Sequence, residues 1–402
     1  MRYRKSGRPR VDDIKVMLAA GGSGGHIFPC VSLASELEKA GVKKLFFVSS
    51  KRQLDRNLLK DIRYPCNFFS INPMPSSFSV KGFAVFGFKC VTDLIRSFFV
   101  VLRVRPDVVV GFGGYSSGTI SLAAKLSGAA LVIHEQNVVP GKANVILSRF
   151  ADKIALSFSG PVPGLERFSA KTVFTGNPIR ADILSSDRQG SASRLGIPWD
   201  RSTVLVMGGS QGSRFLNREL SEVALKVKER RGDTVQFVHI TGRGEDNKSV
   251  AEFYEKNGIP GKVFSFMERI DDAYAVSDIA VSRAGAAAIF ELAYYGRPMI
   301  LVPYPSSGNS QISNALFFAS RGAALCRQEK DLSQETLTHD ILEILDNPDK
   351  YAAMREAALK LALPHSGRIL AEEVIALAAP ARYRDPCRNG SGGECGNLNS
   401  KT

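Results

Sequence analysis

Short apolar runs alternate with longer stretches of helical periodicity along most of this chain. Continuous apolar strands that are separated by helices indicate a parallel sheet with helices on both faces. The pattern therefore predicts an α/β protein. The runs predicted as strands are 14–18, 45–48, 68–71, 108–112, 130–133 and 153–156 in the first half, and 203–207, 235–239, 263–266, 279–282 and 299–302 in the second half.

Two of these strands lead into glycine-rich loops that each open a helix. The sequence GGSGGH occupies 21–26, and GGSQGS occupies 208–213. Glycines allow backbone N–H groups to approach an anion closely, and the N-terminus of the following helix favours negative charge. The first loop lacks the G-x-G-x-x-G spacing of dinucleotide-binding proteins, which disfavours a nicotinamide dehydrogenase. The repeated device predicts two doubly wound domains that hold two phosphorylated ligands in one cleft.

Polar residues also follow two other strands of the first half. The sequence GGYSSGT follows one strand at 113–119, and HEQN ends the next at 134–137. Ligands of such sheets bind at the carboxyl ends of the strands. We therefore expect both segments to lie at the cleft.

One helix of the first half carries apolar residues at core-facing spacing. Val91, Leu94, Ile95, Phe98 and Leu102 follow the i, i+3, i+4, i+7 pattern, which predicts that this face is buried. The preceding residues Phe83, Phe86, Phe88 and Lys89 have two interpretations. They form either an exposed apolar patch with a basic rim, suited to an anionic membrane surface, or an ordinary buried cluster.

Length and charge narrow the function classes. A chain of 402 residues is long enough for two domains, and a polar stretch at 185–193 predicts the boundary. The 53 basic and 39 acidic residues give a net charge of +14, which favours phosphates, nucleic acid or an acidic membrane as partners. The basic residues are dispersed or terminal, so we expect no nucleic acid partner.

Six scattered cysteines indicate neither a zinc site nor a disulfide framework, which favours a reducing cytoplasm. The sequence lacks a signal-peptide core and a run of ~18 apolar residues, so membrane contact is expected to be peripheral.

The order of these motifs resembles the MurG family of bacterial cell-wall glycosyltransferases, glycosyltransferase family 28. The matching motifs are GGSGGH at 21–26, HEQN at 134–137, GNPIR at 176–180, GGSQG at 208–212, the segment 283–291, and Gln311 with Asn314 and Ala315. The resemblance covers about 14–378. It implies the GT-B fold, in which two Rossmann-like domains face a cleft. It also implies inverting transfer of GlcNAc from UDP-GlcNAc to the muramoyl O4 of lipid I, which forms lipid II, with no metal or other cofactor.

The resemblance also implies a domain plan and a location. A basic extension at 1–13 precedes an acceptor and membrane-docking domain at 14–184. A UDP-GlcNAc domain follows at 185–378, with its last helix packing back on the first domain, and a disordered tail occupies 379–402. We expect a peripheral enzyme on the cytoplasmic face of the plasma membrane, with cell-wall or division proteins as further partners.

Site residues are carried over from the matching motifs. The donor UDP-GlcNAc set is Ser23, Gly24, Gly25, Asn137, Arg180, Ser210, Gln211, Gly212, Met267, Arg283, Ala286, Ala287, Glu291, Ser310 and Gln311. The acceptor diphosphate set is Gly22, Gly25, His26, Tyr115, Ser117 and Gly118.

The catalytic candidates are His26 and Glu135. A histidine titrates near neutral pH and can accept the proton of the attacking hydroxyl, and burial can tune a carboxylate for the same task. The alternatives are that His26 donates to a diphosphate and that Glu135 accepts backbone amides at a strand end. Two other functions also stay open, namely a diacylglycerol sugar transferase and a non-catalytic scaffold that binds nucleotide sugars.

Overall fold

The computed structural model describes residues 10–69, 80–180, 183, 186–209, 211–244, 246–305 and 310–378. Most of the predicted basic extension, Ser210 and the predicted tail lie outside the described residues. Within them, two parallel sheets alternate with helices along the chain. The predicted α/β class with two Rossmann-like units is therefore confirmed.

The first sheet has seven strands in the order β3-β2-β1-β4-β5-β6-β7. Every neighbouring pair in it is parallel. The strand order reverses between β1 and β4, which opens a crevice at their carboxyl ends. The elements of this unit are β1 Lys15–Ala19, α1 Gly24–Lys39, β2 Lys44–Ser50, α2 Gln53–Leu58, β3 Cys66–Phe69, α3 Val80–Val104, β4 Val108–Gly111, α4 Tyr115–Leu126, β5 Ala130–Glu135, α5 Lys142–Leu147, β6 Lys153–Leu156 and β7 Thr172–Phe174.

The second sheet has six parallel strands in the order β10-β9-β8-β11-β12-β13. Its order reverses between β8 and β11, so its crevice follows the second glycine loop. The elements are α6 Arg188–Leu195, β8 Ser202–Met207, α7 Arg214–Arg231, β9 Val235–Ile240, α8 Asp246–Lys256, β10 Gly261–Phe264, α9 Ile270–Val276, β11 Ile279–Ser282, α10 Ala286–Tyr294, β12 Met299–Leu301, α11 Ser310–Ala319, β13 Ala324–Cys326, α12 Gln334–Asp346, α13 Pro348–Leu361 and α14 Ser366–Ala378.

The last helix and one aromatic cluster join the two units. Leu370, Ala371 and Val374 of α14 belong to the apolar core beside α1 and the first sheet. In the opposite direction, Phe158 follows β6 and packs against Phe290 of the second unit, with ring centroids 5.0 Å apart. Apolar contacts in both directions bring the two crevices together.

Helix α3 buries only part of the face that was predicted to be buried, since Leu94 and Phe98 pack against the core. Val91, Ile95 and Leu102 are about half exposed, whereas Ser97 and Val101 are 1% exposed. Apolar residues surround much of this helix near 98–102, so periodicity alone did not define one buried face. The prediction that the whole set is core-facing was wrong.

The predicted patch of phenylalanines belongs to this same helix. Phe88 is 72% exposed and Lys89 is half-buried, whereas the side chains of Phe83 and Phe86 lie outside the described residues. In the described part of the chain, no helix is long and apolar enough to cross a membrane.

Candidate active site

A cleft of about 1200 Å³ lies between the two sheets. Every described member of the predicted donor set lines it. These residues come from both glycine loops, from the linker after β7 and from the starts of α10 and α11. The two crevices therefore form one site.

His26 lies in the first turn of α1 on the wall formed by the first sheet. Its Nδ1 atom is 3.0 Å from the Gly21 carbonyl oxygen and 3.4 Å from the Ser23 hydroxyl. A carbonyl only accepts hydrogen bonds, so the neutral imidazole carries its proton on Nδ1. The Nε2 atom is then the one that can accept a proton.

Glu135 ends β5 behind the cleft and is 1% exposed. One carboxylate oxygen accepts from the Asn137 amide nitrogens, at 2.9 Å from the backbone and 3.2 Å from the side chain. The other accepts from Gly141 N at 3.0 Å and from Asn144 Nδ2 at 2.8 Å. Four donors occupy this carboxylate, which makes it an anchor for the loop after β5 rather than an open proton acceptor.

The structure brings only part of the predicted acceptor set to the cleft surface. Gly25 and His26 line the cleft. The Gly22 amide instead donates to Asp55, at 3.1 and 2.9 Å from its two carboxylate oxygens, so it is not free to bind a diphosphate. Ser117 is fully buried and its hydroxyl donates to the Gly114 carbonyl. Gly118 lies on α4 and does not line the cleft, and the Tyr115 side chain lies outside the described residues.

The second glycine loop faces the cleft from the other wall. Helix α7 begins beneath it, and the Ser213 side chain caps the helix by accepting from Leu216 N. Gly212 adopts a positive φ of +76°, and a Cβ there would lie 2.1 Å from the Thr241 carbonyl oxygen. Only glycine fits this close approach of the two backbones. Gln211 and Gly212 line the cleft beside the N-terminus of α7.

Arg283 connects the loops of the second wall. Arg283 is 7% exposed, and its guanidinium donates to the Val302 carbonyl at 3.1 Å and to the Ser213 hydroxyl at 2.6 Å. The same group is 2.5 Å from a Glu329 carboxylate oxygen. Arg283 therefore holds the start of α7 in place while it lines the cleft.

Arg180 and Glu291 both line the cleft and lie next to each other. The Arg180 Nε atom is 3.7 Å from Glu291 Oε1, and the guanidinium lies 4.4 Å from the centre of the Phe28 ring. The other carboxylate oxygen of Glu291 accepts from the Tyr274 hydroxyl at 2.8 Å. Burial, with the Glu291 charge as a lesser cause, raises the pKa of Tyr274 well above its usual value, so this hydroxyl stays a donor.

Polar contacts also cross between the two units. Asn314 of α11 is fully buried, and its amide donates to Asn137 Oδ1 at 3.0 Å and to the Ala284 carbonyl at 3.2 Å. Its oxygen accepts from Val138 N at 3.0 Å. Ser310 and Gln311 lie one turn earlier on α11 and line the cleft. Asn314 therefore ties the loop after β5 to the helix that begins at the second wall.

His134 supports this arrangement from behind. It is fully buried, with Nε2 3.2 Å from the Gly176 carbonyl oxygen and Nδ1 2.9 Å from Gln136 Nε2. Burial lowers the pKa of His134 to about 4, so the ring is neutral at physiological pH. Its contacts and its burial make it a structural group.

Two parallel-sheet units with glycine loops at both switch points, facing one cleft, define the GT-B fold. The chain matches the glycosyltransferase family 28 N-terminal domain over residues 16–156 and the C-terminal domain of that family over residues 203–366. It belongs to glycosyltransferase family 28, as its motifs predicted.

Relatives and solved structures agree with this assignment. The chain is 33% identical over 375 residues to the UDP-N-acetylglucosamine–N-acetylmuramyl-(pentapeptide) pyrophosphoryl-undecaprenol N-acetylglucosamine transferase of Thermodesulfovibrio yellowstonii, covering 91% of this chain and 98% of that one. It is 34% identical to the enzyme of the same name from Methylococcus capsulatus, covering 87% of this chain and 94% of that one. The crystal structure of Acinetobacter baumannii MurG is similar with a TM-score of 0.68 and 25% identity, covering 90% of this chain and 99% of that structure. A UDP complex of S. aureus MnaA shares the fold alone, at 12% identity and a TM-score of 0.67.

Several residues at the site were not predicted from the sequence. Asp55, Tyr274 and Glu329 are carboxyl or phenol groups in ordinary helical or loop sequence, and no local motif distinguishes them. Asn314 was recognised as part of a motif, but its partner is 177 residues away. Long-range pairs of this kind require the fold.

Proposed function

We propose that this chain transfers GlcNAc from UDP-GlcNAc to the muramoyl O4 of undecaprenyl-diphospho-MurNAc-pentapeptide, with inversion at the sugar C1, on the cytoplasmic face of the membrane. The observation that carries the proposal is the pair of glycine loops facing each other across one cleft in a chain of this family. The names of the relatives supply the two substrates.

The second wall is the proposed donor site. The UDP diphosphate binds at the N-terminus of α7, next to the amides of Gln211 and Gly212 and next to Ser210. Arg180, which lines the cleft beside Glu291, supplies positive charge that stabilises the UDP that leaves. The positive φ of Gly212 and its close approach to the Thr241 carbonyl support this placement, because they fix the course of the loop at the start of α7.

Glu291 is the proposed partner of the ribose hydroxyls. A carboxylate accepts two hydroxyl hydrogen bonds, and Tyr274 and Arg180 hold this carboxylate in a fixed orientation at the cleft. The uracil binds near Met267. The neighbouring Phe266 ring supports that position, since the Arg243 guanidinium stacks on it at 4.0 Å.

The donor sugar lies near the start of α11. Ser310, Gln311 and Asn137 surround this part of the cleft, and Ala286 and Ala287 begin the helix that carries Glu291. Small residues there leave room for the sugar. Ser23, Gly24 and Gly25 approach from the first wall.

His26 is the proposed general base. As O4 forms its bond to C1, the bond from C1 to the diphosphate oxygen breaks, the O4 proton moves to His26 Nε2, and the electron pair leaves with UDP. The contact of Nδ1 with the Gly21 carbonyl favours this role, since it leaves Nε2 able to accept the proton. Glu135 anchors the loop that carries Asn137.

Helix α3 is the proposed membrane contact. Its exposed apolar residues lie on one stripe, which we call the α3 stripe, and Lys89, Arg96 and Arg103 are distributed along the same helix. An apolar stripe with basic neighbours suits an anionic membrane surface. The α3 stripe consists of Val85, Phe88, Val91, Ile95, Phe99 and Leu102.

The test is UDP release from UDP-GlcNAc with and without a short-chain lipid I analogue. We expect release only when this acceptor is present, and little release from UDP-GalNAc. Release with diacylglycerol would favour a lipid sugar transferase instead. Tight binding of UDP-GlcNAc without release on either acceptor would favour a non-catalytic scaffold.

A further inference from the structure

We propose that Asp55 is a positioning residue for the transfer reaction, because its carboxylate holds the first glycine loop and thereby sets the orientation of the His26 imidazole. This inference rests on the proposed function, in which His26 accepts the proton. Asp55 lies on α2, and the helix and the turn after it border the cleft through Asn57, Lys60 and Asp61.

The Asp55 carboxylate is fully buried behind the loop. Its two oxygens lie 3.1 and 2.9 Å from the Gly22 amide nitrogen, and it also accepts the hydroxyl of Ser50 at the end of β2. A buried carboxylate is unfavourable unless hydrogen bonds compensate for the loss of water. Here the compensating donors are the loop backbone and the neighbouring strand, so the carboxylate couples α2 and β2 to the loop.

The direction of this hydrogen bond decides which amides face the ligand. A carboxylate without a proton only accepts, so the Gly22 N–H must point toward α2 and away from the cleft. The amides at the N-terminus of α1, including those of Gly24 and Gly25, then remain as the anion-binding part of the first wall. Asp55 therefore shapes the loop as well as fixing it.

The loop is also confined on its other side. A Cβ at Gly114, in the turn between β4 and α4, would lie 2.5 Å from the Gly21 carbonyl oxygen. The same carbonyl oxygen is 3.0 Å from His26 Nδ1. A single peptide, Gly21–Gly22, therefore presents its N–H to Asp55 and its carbonyl to His26. Loss of the first contact frees this peptide to rotate and weakens the second.

The test compares Asp55→Ala and Asp55→Asn with Asp107→Asn as the matched control. Asp107 accepts the Lys15 amide at 2.9 Å at the start of β1, whereas Gly22 follows the other end of this strand. The control thus removes the charge of an exposed carboxylate that also accepts a backbone amide but lies away from the cleft. Each variant is assayed for kcat and KM with UDP-GlcNAc and the short-chain lipid I analogue, and for UDP affinity by calorimetry.

We expect Asp55→Ala to lower kcat by about 10- to 100-fold, the loss typical of a misplaced catalytic group. UDP affinity should stay unchanged, because the nucleotide binds on the other wall. Asp55→Asn keeps an oxygen that can accept from Gly22 and should lose less activity than Asp55→Ala. Asp107→Asn should match the wild type. A kcat for Asp55→Ala within twofold of the wild type would overturn the inference.

A second readout does not depend on turnover. Imidazole 15N signals distinguish the two neutral tautomers. Because the chain has five histidines, the two ring-nitrogen signals of His26 are assigned as those that are missing from the spectrum of His26→Gln. We expect the Nδ1–H form at His26 in the wild type and a mixture in Asp55→Ala. An unchanged tautomer in Asp55→Ala would refute the positioning role even if the wild type proved inactive, which separates this failure from failure of the proposed function. If Asp55→Ala does not fold, Ser50→Ala is measured in its place, because it removes one donor to the Asp55 carboxylate. We then expect a change of the His26 tautomer in the same direction but of smaller size.

Discussion

The buried ring of His134 predicts a specific loss of stability in acid. The pKa of its ring is lowered from 6.5 to about 4 in the folded protein because burial disfavours the charged form. The unfolded chain therefore binds a proton at a pH where the folded chain does not. The contribution of the neutral ring to the free energy of unfolding is fully present above the pKa of the unfolded chain. It is lost as the pH falls from 6.5 toward the folded pKa of about 4.

The size of this effect follows from the two pKa values. One pKa unit corresponds to about 1.4 kcal/mol, so the whole contribution is about 3 kcal/mol. Between about pH 7 and about pH 5 the loss amounts to about 2 kcal/mol, since the folded ring is still largely neutral there. Other groups add their own pH dependence, so the quantity to measure is the difference between the wild type and a variant without the ring.

The assay is urea unfolding of the wild type and His134→Gln at both pH values. His134→Gln should be less stable at neutral pH, and its free energy of unfolding should fall by about 2 kcal/mol less than that of the wild type on acidification. Ser366→Ala is the control, since it removes a buried hydroxyl that donates to the Asn177 carbonyl at 2.7 Å and removes no titrating group. Equal pH dependence in the wild type and His134→Gln would refute the account of a neutral buried ring.

Four further predictions concern the cleft and the membrane contact. Glu291→Ala should weaken UDP binding by roughly 10- to 100-fold in calorimetry, since hydrogen bonds to a charged group contribute about 1.5–3 kcal/mol; unchanged affinity would remove the ribose role. Gly212→Ala should abolish UDP binding and lower the melting temperature, because its Cβ would lie 2.1 Å from the Thr241 oxygen; a variant that binds UDP normally would contradict the close approach. Asn314→Ala should lower the free energy of unfolding by about 1–3 kcal/mol, because buried groups lose their partners, and should slow transfer while sparing UDP affinity; a neutral variant would show that the cross-unit contacts contribute little. Phe88→Ser combined with Phe99→Ser should reduce sedimentation with anionic vesicles without lowering the melting temperature, and undiminished sedimentation would exclude the α3 stripe as the contact.

The sequence predicted the features that local physics determines. Apolar runs placed most of the strands, and the two glycine loops indicated both switch points. The strand predicted at 263–266 begins two residues earlier, at Gly261, and the short edge strands β7 and β13 were not predicted. These are segments whose extent is determined by pairing with a neighbouring strand rather than by their own composition.

The sequence did not predict features that depend on the neighbours of each side chain. Glu135 looked like a candidate base because it ends a strand near the cleft, yet four donors from the following loop surround it. Which face of α3 is exposed likewise depends on which of its residues α4 covers. One of the covered residues is Ser97, whose hydroxyl donates to Thr119 of α4. The role of Asp55 depends on its contact with Gly22, and no sequence motif relates these two positions.

The most direct test of the central claim is to isolate the product formed from UDP-GlcNAc and the short-chain lipid I analogue and to determine its linkage by NMR. The account predicts one β-linked GlcNAc on the muramoyl O4 for each UDP released, with the rate strongly reduced in His26→Gln while UDP affinity is retained. An α linkage, attachment at another hydroxyl, or full activity of His26→Gln would contradict direct displacement at C1 with His26 as the base.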